Sequence, residues 1–438
     1  MNILISSWGS TGDVLPPIAV GSELVRRGHQ VAFLGNPYHA ALVEQAGLTM
    51  IPVGRAADHE RMMSDKWLMD VERRSADAIL SEYYYPLMED YRRAAAAAIA
   101  GGARALVGGE IGSVTAAEAA GLPWLKVAAS PGANSGIESS ADPLHPERLL
   151  PRGWRWLAAS GAGLALYYRL HWLRRGRWRV PARQQGEMFE TPAVAEFRRH
   201  LGLPATVLYR PRASLCMWPE WFAAPRPDWP SGSVVCGFPL YPRPAASTPV
   251  ATGPVVVTSG SVASAQDLFY EKAIHACRQL GREAVLVTPH REHVPATLPQ
   301  GIRYVPHAPF HELLGKAVLV IHHGGIGTAS YALAAGVPQL LMPLRGDQFD
   351  NANRLQRLGV ARMLSAQEHD AEQVTAAVRY LLASARVARR CRQWRQRTVV
   401  VQGLARAAES VESICQEPDD PPRVVTRVGP VETPLCPG

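Results

Sequence analysis

The chain has 438 residues, 47% hydrophobic and 19% charged, a composition that excludes a disordered polypeptide and allows a buried core. Its length exceeds what one core usually serves, so two domains of about 100–200 residues each, with a cleft between them, are expected. The formal charge of +8 rests almost wholly on arginine, with lysine only at 66, 126, 272 and 316; guanidinium binding of phosphate and a base-composition bias explain this equally well, so charge alone assigns no partner.

The chain opens Met1-Asn-Ile-Leu-Ile-Ser-Ser-Trp-Gly-Ser10, without a basic, cleavable apolar leader, and has no run of the ~18 apolar residues a membrane span needs, so a cytoplasmic protein is expected. Ile3–Ser6 reads as a strand, followed by a Gly/Ser/Thr loop through Gly12, a helix over Val14–Arg27 stopped by Gly28, and a strand over Val31–Leu34. That is a βαβ unit. Arg92–Ala100 and Val114–Ala120 (helices) and Ala105–Val107 and Trp124–Val127 (strands) continue the rhythm. Leu144–Pro181, crowded with Arg and Trp, reads as one or two amphipathic helices with a basic face suited to peripheral membrane contact.

Structure starts afresh after the Pro-rich stretch Pro239–Pro254. Strands at Val255–Thr258, Ala284–Val287, Val318–Ile321 and Gln339–Met342 alternate with helices at Ser264–Leu280, Ile326–Ala335 and Asp350–Leu358. The predicted fold is α/β, two doubly wound parallel-sheet domains facing across a cleft. The first spans 1–240 and the second 255–398, joined by a linker over 241–254; a helix over 399–416 packs back on the first domain, and 417–438 forms a disordered tail. The six cysteines lack CxxC or Cys/His spacing, so neither a disulfide framework nor a metal site is predicted, and a reducing compartment fits.

The sharpest motif is Ile321-His322-His323-Gly324-Gly325-Ile326-Gly327-Thr328, which ends a strand and opens a helix. Free N–H groups and the partial positive charge of a helix N-terminus suit a diphosphate, and glycines let it approach the backbone closely. His322 is the expected donor to a phosphate oxygen, with Thr328 adding a hydroxyl. Ser261 follows the first strand of the second domain, Val255–Thr258, and offers further donors. Asp347 and Gln348, after the next strand, pair an acceptor-only carboxylate with a two-way amide, a set suited to sugar hydroxyls, although the residues alone read more simply as a polar loop with Asp347 or Asp350 capping the next helix. In the first domain Pro16 and Pro17 require the helix to begin near Asp13, which reads either as its N-cap or as a general base for a hydroxyl in the cleft. Ser10 and Glu110 lie on the same sheet edge, Glu110 being more simply an exposed loop acid.

Together His322–Thr328, the Gly336-Val-Pro-Gln339 step and Asp347-Gln348 resemble the nucleotide-sugar signature of glycosyltransferase family 1 over roughly residues 1–415. The resemblance implies a GT-B fold and inverting transfer of a sugar from a nucleotide diphosphate to an acceptor hydroxyl, with no obligatory cofactor or metal. By position it implies Asp13 as base; Ser261, His322, Gly325, Gly327 and Thr328 on the diphosphate; Tyr304 and Val305 on the nucleobase; Asp347 and Gln348 on the donor sugar; and Ser10 and Glu110 on the acceptor side. Tyr304 and His307 stand where that family has Trp and Gln. Trp218–Ala223, Gly237–Leu240 and Asp347–Ala352 are most similar to the rhamnosyltransferases of rhamnolipid synthesis, implying dTDP-L-rhamnose and a hydroxyalkanoyl lipid; a UDP-sugar or deoxysugar donor with a polyketide, macrolide or sterol aglycone is the alternative. Nucleic acid is not an expected partner, and the inner face of the membrane is a compatible location. An epimerase acting on the donor alone and a non-catalytic partner on the same fold are the readings of other classes.

Overall fold

The computed structural model describes residues 1–68, 76–131, 191–204, 211–225, 229, 232–242, 252–263, 267–344, 347–364, 369–400 and 402–416. The predicted amphipathic region over 144–181, most of the linker and the tail after 416 lie outside them.

Two parallel sheets form the framework. In the first, β1 (Asn2–Ser6), β2 (Gln30–Gly35), β3 (Thr49–Pro52), β4 (Ala103–Gly108), β5 (Trp124–Ala128), β6 (Ala213–Cys216) and β7 (Ser233–Val235) lie in the order β3-β2-β1-β4-β5-β6-β7. In the second, β8 (Val255–Thr258), β9 (Ala284–Val287), β10 (Ile302–Val305), β11 (Leu319–His322), β12 (Gln339–Leu341) and β13 (Ala361–Met363) lie in the order β10-β9-β8-β11-β12-β13. The central strands are near-continuous apolar runs, as in Ile3-Leu4-Ile5 and Val255-Val256-Val257, because helices cover both faces and each of these residues is at most 1% exposed. Two doubly wound α/β domains, as a GT-B protein has, are thus observed. In each sheet the winding reverses once, between β1 and β4 and between β8 and β11, and the loops leaving those strands splay apart to leave a crevice.

The first helix, α1 (Thr11–Arg26), begins two residues before Asp13, with Ser10 as N-cap, so Asp13 is the third helical residue and not the cap. Pro16 and Pro17 therefore fall in the second turn, where proline removes an intrahelical donor. The carbonyl of Asp13, which Pro17 cannot serve, instead accepts from Ser7 Oγ at 3.2 Å. That rescue is why the helix starts earlier than the prolines suggest.

Helices α2 (Ala56–Ser64) and α3 (Ile111–Ala119) belong to the first domain, α4 (Ile326–Ala335) and α5 (Gln348–Leu358) to the second. After α6 (Ala385–Val400) the chain returns to the first domain as α7 (Gly403–Gln416), whose Ala407, Ala408 and Val411 share a core with Ile5 and Ile18. Arg27 fixes it by donating to Glu412 at 2.9 Å and to the Ala405 carbonyl at 3.1 Å. Conversely Trp218, Phe222 and Phe238, downstream of β6, pack into the core of the second domain, and Trp221 lies 4.8 Å from Trp394, ring centroid to centroid. The two crossings touch: a Cβ at Gly403 would lie 2.8 Å from the Gly237 carbonyl carbon. Across the cleft mouth, Ala263 N–H donates to the Met63 carbonyl at 2.8 Å, tying the loop after β8 to the C-terminal turn of α2.

Among the described residues the five cysteines are free and buried, and no helix is long and apolar enough to cross a membrane.

Candidate functional site

At the switch point of the first sheet the loop after β1 turns through Gly9 at φ +123°, where any side chain is strained and a Cβ would sit 2.6 Å from Asp13 Oδ2. That close approach brings the Asp13 carboxylate over the loop, where Oδ2 accepts from the Ser10 N–H and hydroxyl, both at 2.8 Å. Asp13 is itself exposed at the cleft, but the protein crowded around it takes water away and raises its pKa above the ordinary aspartate value; the Ser10 hydrogen bonds oppose that rise and the charge of Asp347 adds to it. Two candidate residues from different domains are thus within electrostatic reach of each other.

Glu110 is not an exposed loop acid. It is 7% exposed and N-caps α3, accepting from the N–H groups of Gly112 at 2.6 Å and Ser113 at 3.0 Å, from Ser6 Oγ at 3.1 Å, and from the hydroxyls of Tyr84 and Ser113. Burial pushes its pKa up and these donors pull it down. A carboxylate so fully engaged holds β1 and β4 in place and has no lone pair directed at the cleft.

At the second switch point the two histidines separate. His322 is the last residue of β11, fully buried; Gly324 N–H donates to its Nδ1 at 3.2 Å, so the proton sits on Nε2, which donates to Gln339 Oε1 at 3.0 Å. Burial lowers its pKa to about 4, keeping the ring neutral. Both nitrogens are committed to the fold. His323, one position beyond the strand, is half-buried with its ring between two glycines: a Cβ at Gly325 would meet His323 Nε2 at 2.4 Å, and one at Gly260 would meet Cε1 at 2.9 Å. The imidazole next to the opening of α4 is therefore that of His323. Gly325 is the N-cap of α4, Gly327 is exposed with open space where a side chain would be, and Thr328 is 8% exposed. The α4 N-terminus, the His323 ring and the loop after β8 thus lie side by side, bringing small residues and partial positive charge together. His290, a residue the sequence reading missed, shapes that loop by donating from Nε2 to the Ser261 carbonyl at 3.0 Å.

Asp347 is the N-cap residue of α5, and its carboxylate accepts from Asn351 Nδ2 at 3.1 Å; desolvation raises its pKa, and the neighbouring Ser130 of the first domain and Asn351 oppose the rise. Asn351 also donates to the Gly324 carbonyl at 3.1 Å, locking the Asp347 loop to the glycine turn. Gln348 Oε1 accepts from Leu344 N–H at 2.9 Å. Tyr304 and Val305 end β10, two strands from β8, and the Arg291 guanidinium lies over the Tyr304 ring, 5.2 Å from its centroid. Asp13, His323, Gly325 and Asp347 thus come from loops at the two switch points, Tyr304 ends a strand two positions along the second sheet, and Glu110 and His322 stand behind as scaffold.

Comparisons with known proteins speak to the family and the fold. Residues 3–110 match the glycosyltransferase family 28 N-terminal domain, and residues 271–400 the erythromycin biosynthesis protein CIII-like C-terminal domain. The chain is 30% identical to the O-mycaminosyltylonolide 6-deoxyallosyltransferase of Streptomyces fradiae, over 94% of this chain and 97% of that one. Among solved structures, the glycotransferase of kitacinnamycin superposes with a TM-score of 0.63 at 21% identity, covering 94% of this chain and 98% of the other. The spinosyn rhamnosyltransferase SpnG, complexed with thymidine diphosphate, gives a TM-score of 0.58 at 20% identity, covering 94% and 100%. The two structural likenesses carry the fold.

Proposed function

The chain belongs to the glycosyltransferase family whose N- and C-terminal domains it matches, and from that premise we propose that it moves a deoxysugar from a deoxythymidine diphosphate donor to a hydroxyl of an apolar natural-product aglycone, with inversion. The observation that carries the reading is that Asp13 of one domain faces Asp347 of the other, whose loop Asn351 ties to the glycine turn beside His323. The donor diphosphate lies against the α4 N-terminus, His323 and the loop at Ser261, with its sugar toward Asp347 and Gln348 and its base toward Tyr304 and Val305. His323, not His322, is the donor to the phosphate oxygens. The acceptor hydroxyl sits beside Asp13, whose raised pKa makes it a stronger base than an ordinary aspartate. Asp13 takes the hydroxyl proton as the oxygen attacks the anomeric carbon, and the bond from that carbon to the diphosphate oxygen breaks, the electron pair leaving with the diphosphate. Charge gathering there is met by donors already in place. The chain's own residues supply every role in this scheme, and no metal or other cofactor is invoked.

Thermal stabilisation by dTDP, UDP, GDP and ADP tests the donor, because a ligand at a hundred times its Kd stabilises the native state by about 2.7 kcal/mol. A selective dTDP shift is expected, followed by transfer from dTDP-L-rhamnose or a related deoxysugar to a macrolide or polyketide aglycone more readily than to a hydroxyalkanoyl lipid. A UDP preference would replace the deoxysugar by a glucosyl-type donor. No shift with any nucleotide would refute the donor site, and conversion of the donor without an acceptor would indicate an epimerase.

A further inference from the structure

Most surface arginines of the first domain are paired: Arg26, Arg27, Arg55 and Arg92 each contact a carboxylate. Helix α6 departs from that habit. It carries six arginines and no acidic residue over Ala385–Val400. Val387, Cys391, Trp394 and Thr398 form the inward stripe, while Arg386, Arg389, Arg390, Arg392 and Arg397 are exposed along about two-fifths of the circumference, the helical rotation being about 100° per residue. None of these five meets a carboxylate among the described residues; Arg390 donates only to Gln393 at 2.9 Å, and Arg397 lies over the Trp394 ring at 5.0 Å. The packed neighbour α4 contributes no acid either. Like charges at three- and four-residue spacing destabilise a helix, so the sequence holds this face against a local cost.

We propose that the outer face of α6 is a docking surface for an anionic lipid bilayer, holding the protein peripherally by headgroup phosphates. A guanidinium fork matches a phosphate in a bidentate manner. Among the described side chains of the face, Gln393, Gln396 and the small Ala385 lie between the arginines and the one large aliphatic group, Val399, stands at the edge, so the face lacks the central aromatic or aliphatic cluster on which tight protein partners converge. A lipid surface requires no such anchor: each basic residue near it strengthens association about fivefold, and the attraction decays within the Debye length. The apolar stripe of α6 is consumed by packing on the domain core, so the helix lies on the headgroups without inserting. The inference rests on charge and exposure and is independent of the donor and acceptor assignments.

The test is flotation of the full-length chain with vesicles of phosphatidylcholine alone or with a third phosphatidylglycerol, at low and at high salt. The unaltered protein is expected on the anionic vesicles only, and to leave them as salt rises. The R386Q/R389Q/R390Q/R392Q variant is expected to partition several hundredfold more weakly, from about fivefold per residue, with its unfolding temperature and nucleotide-induced shift unchanged; replacing the same four residues by lysine restores most of the binding. Equal flotation of the glutamine variant, or binding to neutral vesicles, overturns the proposal. So does retention on polyglutamate or DNA at a salt concentration where anionic vesicles recover nothing, which would assign the face to an acidic macromolecule.

Discussion

Replacing Gly325 by alanine isolates the contribution of His323, because the backbone there has no objection to a side chain. Gly325 adopts φ −61°, ψ 136°, ordinary extended geometry, so the substitution introduces no conformational strain. Its new Cβ would lie 2.4 Å from His323 Nε2, whereas ordinary contact begins near 3.4 Å, so the ring must retreat by about 1 Å. The imidazole end can swing, and exchanging glycine for alanine at a helix N-cap costs about 0.5–1 kcal/mol, so the fold survives. Catalysis is less tolerant, since a 1 Å misplacement of a positioning group costs on the order of a hundredfold. The expectation is therefore a kcat/KM of sugar transfer about a hundredfold lower, with a midpoint of urea unfolding close to that of the parent and a reduced nucleotide-induced thermal shift. A double-mutant cycle closes the argument: once His323→Ala has emptied the space, adding Gly325→Ala does little more, because both changes act on one group. If Gly325→Ala retains transfer within threefold of the parent, or if its effect adds in full to that of His323→Ala, the ring between the glycines does not contact the diphosphate.

Three other expectations follow from the same geometry. Asp13→Asn loses about a hundred- to ten-thousandfold in turnover while nucleotide-induced stabilisation persists; Ser10→Ala, which removes a hydrogen bond favouring the ionised form, moves the acid limb of the kcat/KM profile upward, and a profile that does not move argues against Asp13 as base. His322 and His59 are buried with pKa values lowered to about 4, below the ordinary 6.5. Above pH 6.5 neither affects the balance; as pH falls below it the unfolded chain takes up protons that the folded one refuses, so each imidazole removes up to about 3 kcal/mol of stability by pH 4. Denaturant titrations at stepped pH check this, and His59→Gln is expected to flatten the acid slope. Glu110→Ala leaves three hydroxyls and two N–H groups without their acceptor and is expected to cost at least about 3 kcal/mol in urea unfolding; a loss under about 1 kcal/mol would contradict the capping role.

The βαβ alternation was legible because glycine punctuates nearly every turn and the central strands are unbroken apolar runs. The short outer strands β6, β7 and β13 were not, since three or four residues are too few to show a period, and β6 and β7 are buried evenly along their length with no alternation to read. The placement of Asp13 in the cleft was readable, its helical position was not: a hydroxyl six residues away, on Ser7, determines whether two prolines end a helix turn or sit inside it. Choosing between adjacent histidines needs the register of the strand end, where His322 aligns with Leu341 and Thr258 inside the sheet and His323 is the first residue free of it. Glu110 looked like a loop acid because its partners Ser6 and Tyr84 are distant in sequence, 104 and 26 residues away.

The return of the chain as α7 limits how halves of related enzymes can be recombined. A chimera joined only at the linker would give the first domain a foreign last helix, with Arg27 and His29 facing whatever replaces Glu412 and with the Ala407, Ala408 and Val411 surface mismatched to Ile5 and Ile18. A recombinant that changes the second domain yet keeps residues 403–416 from the parent of the first preserves that surface, and it also preserves the contact of Gly403 on Gly237, where the two strands of the hinge leave room for no side chain.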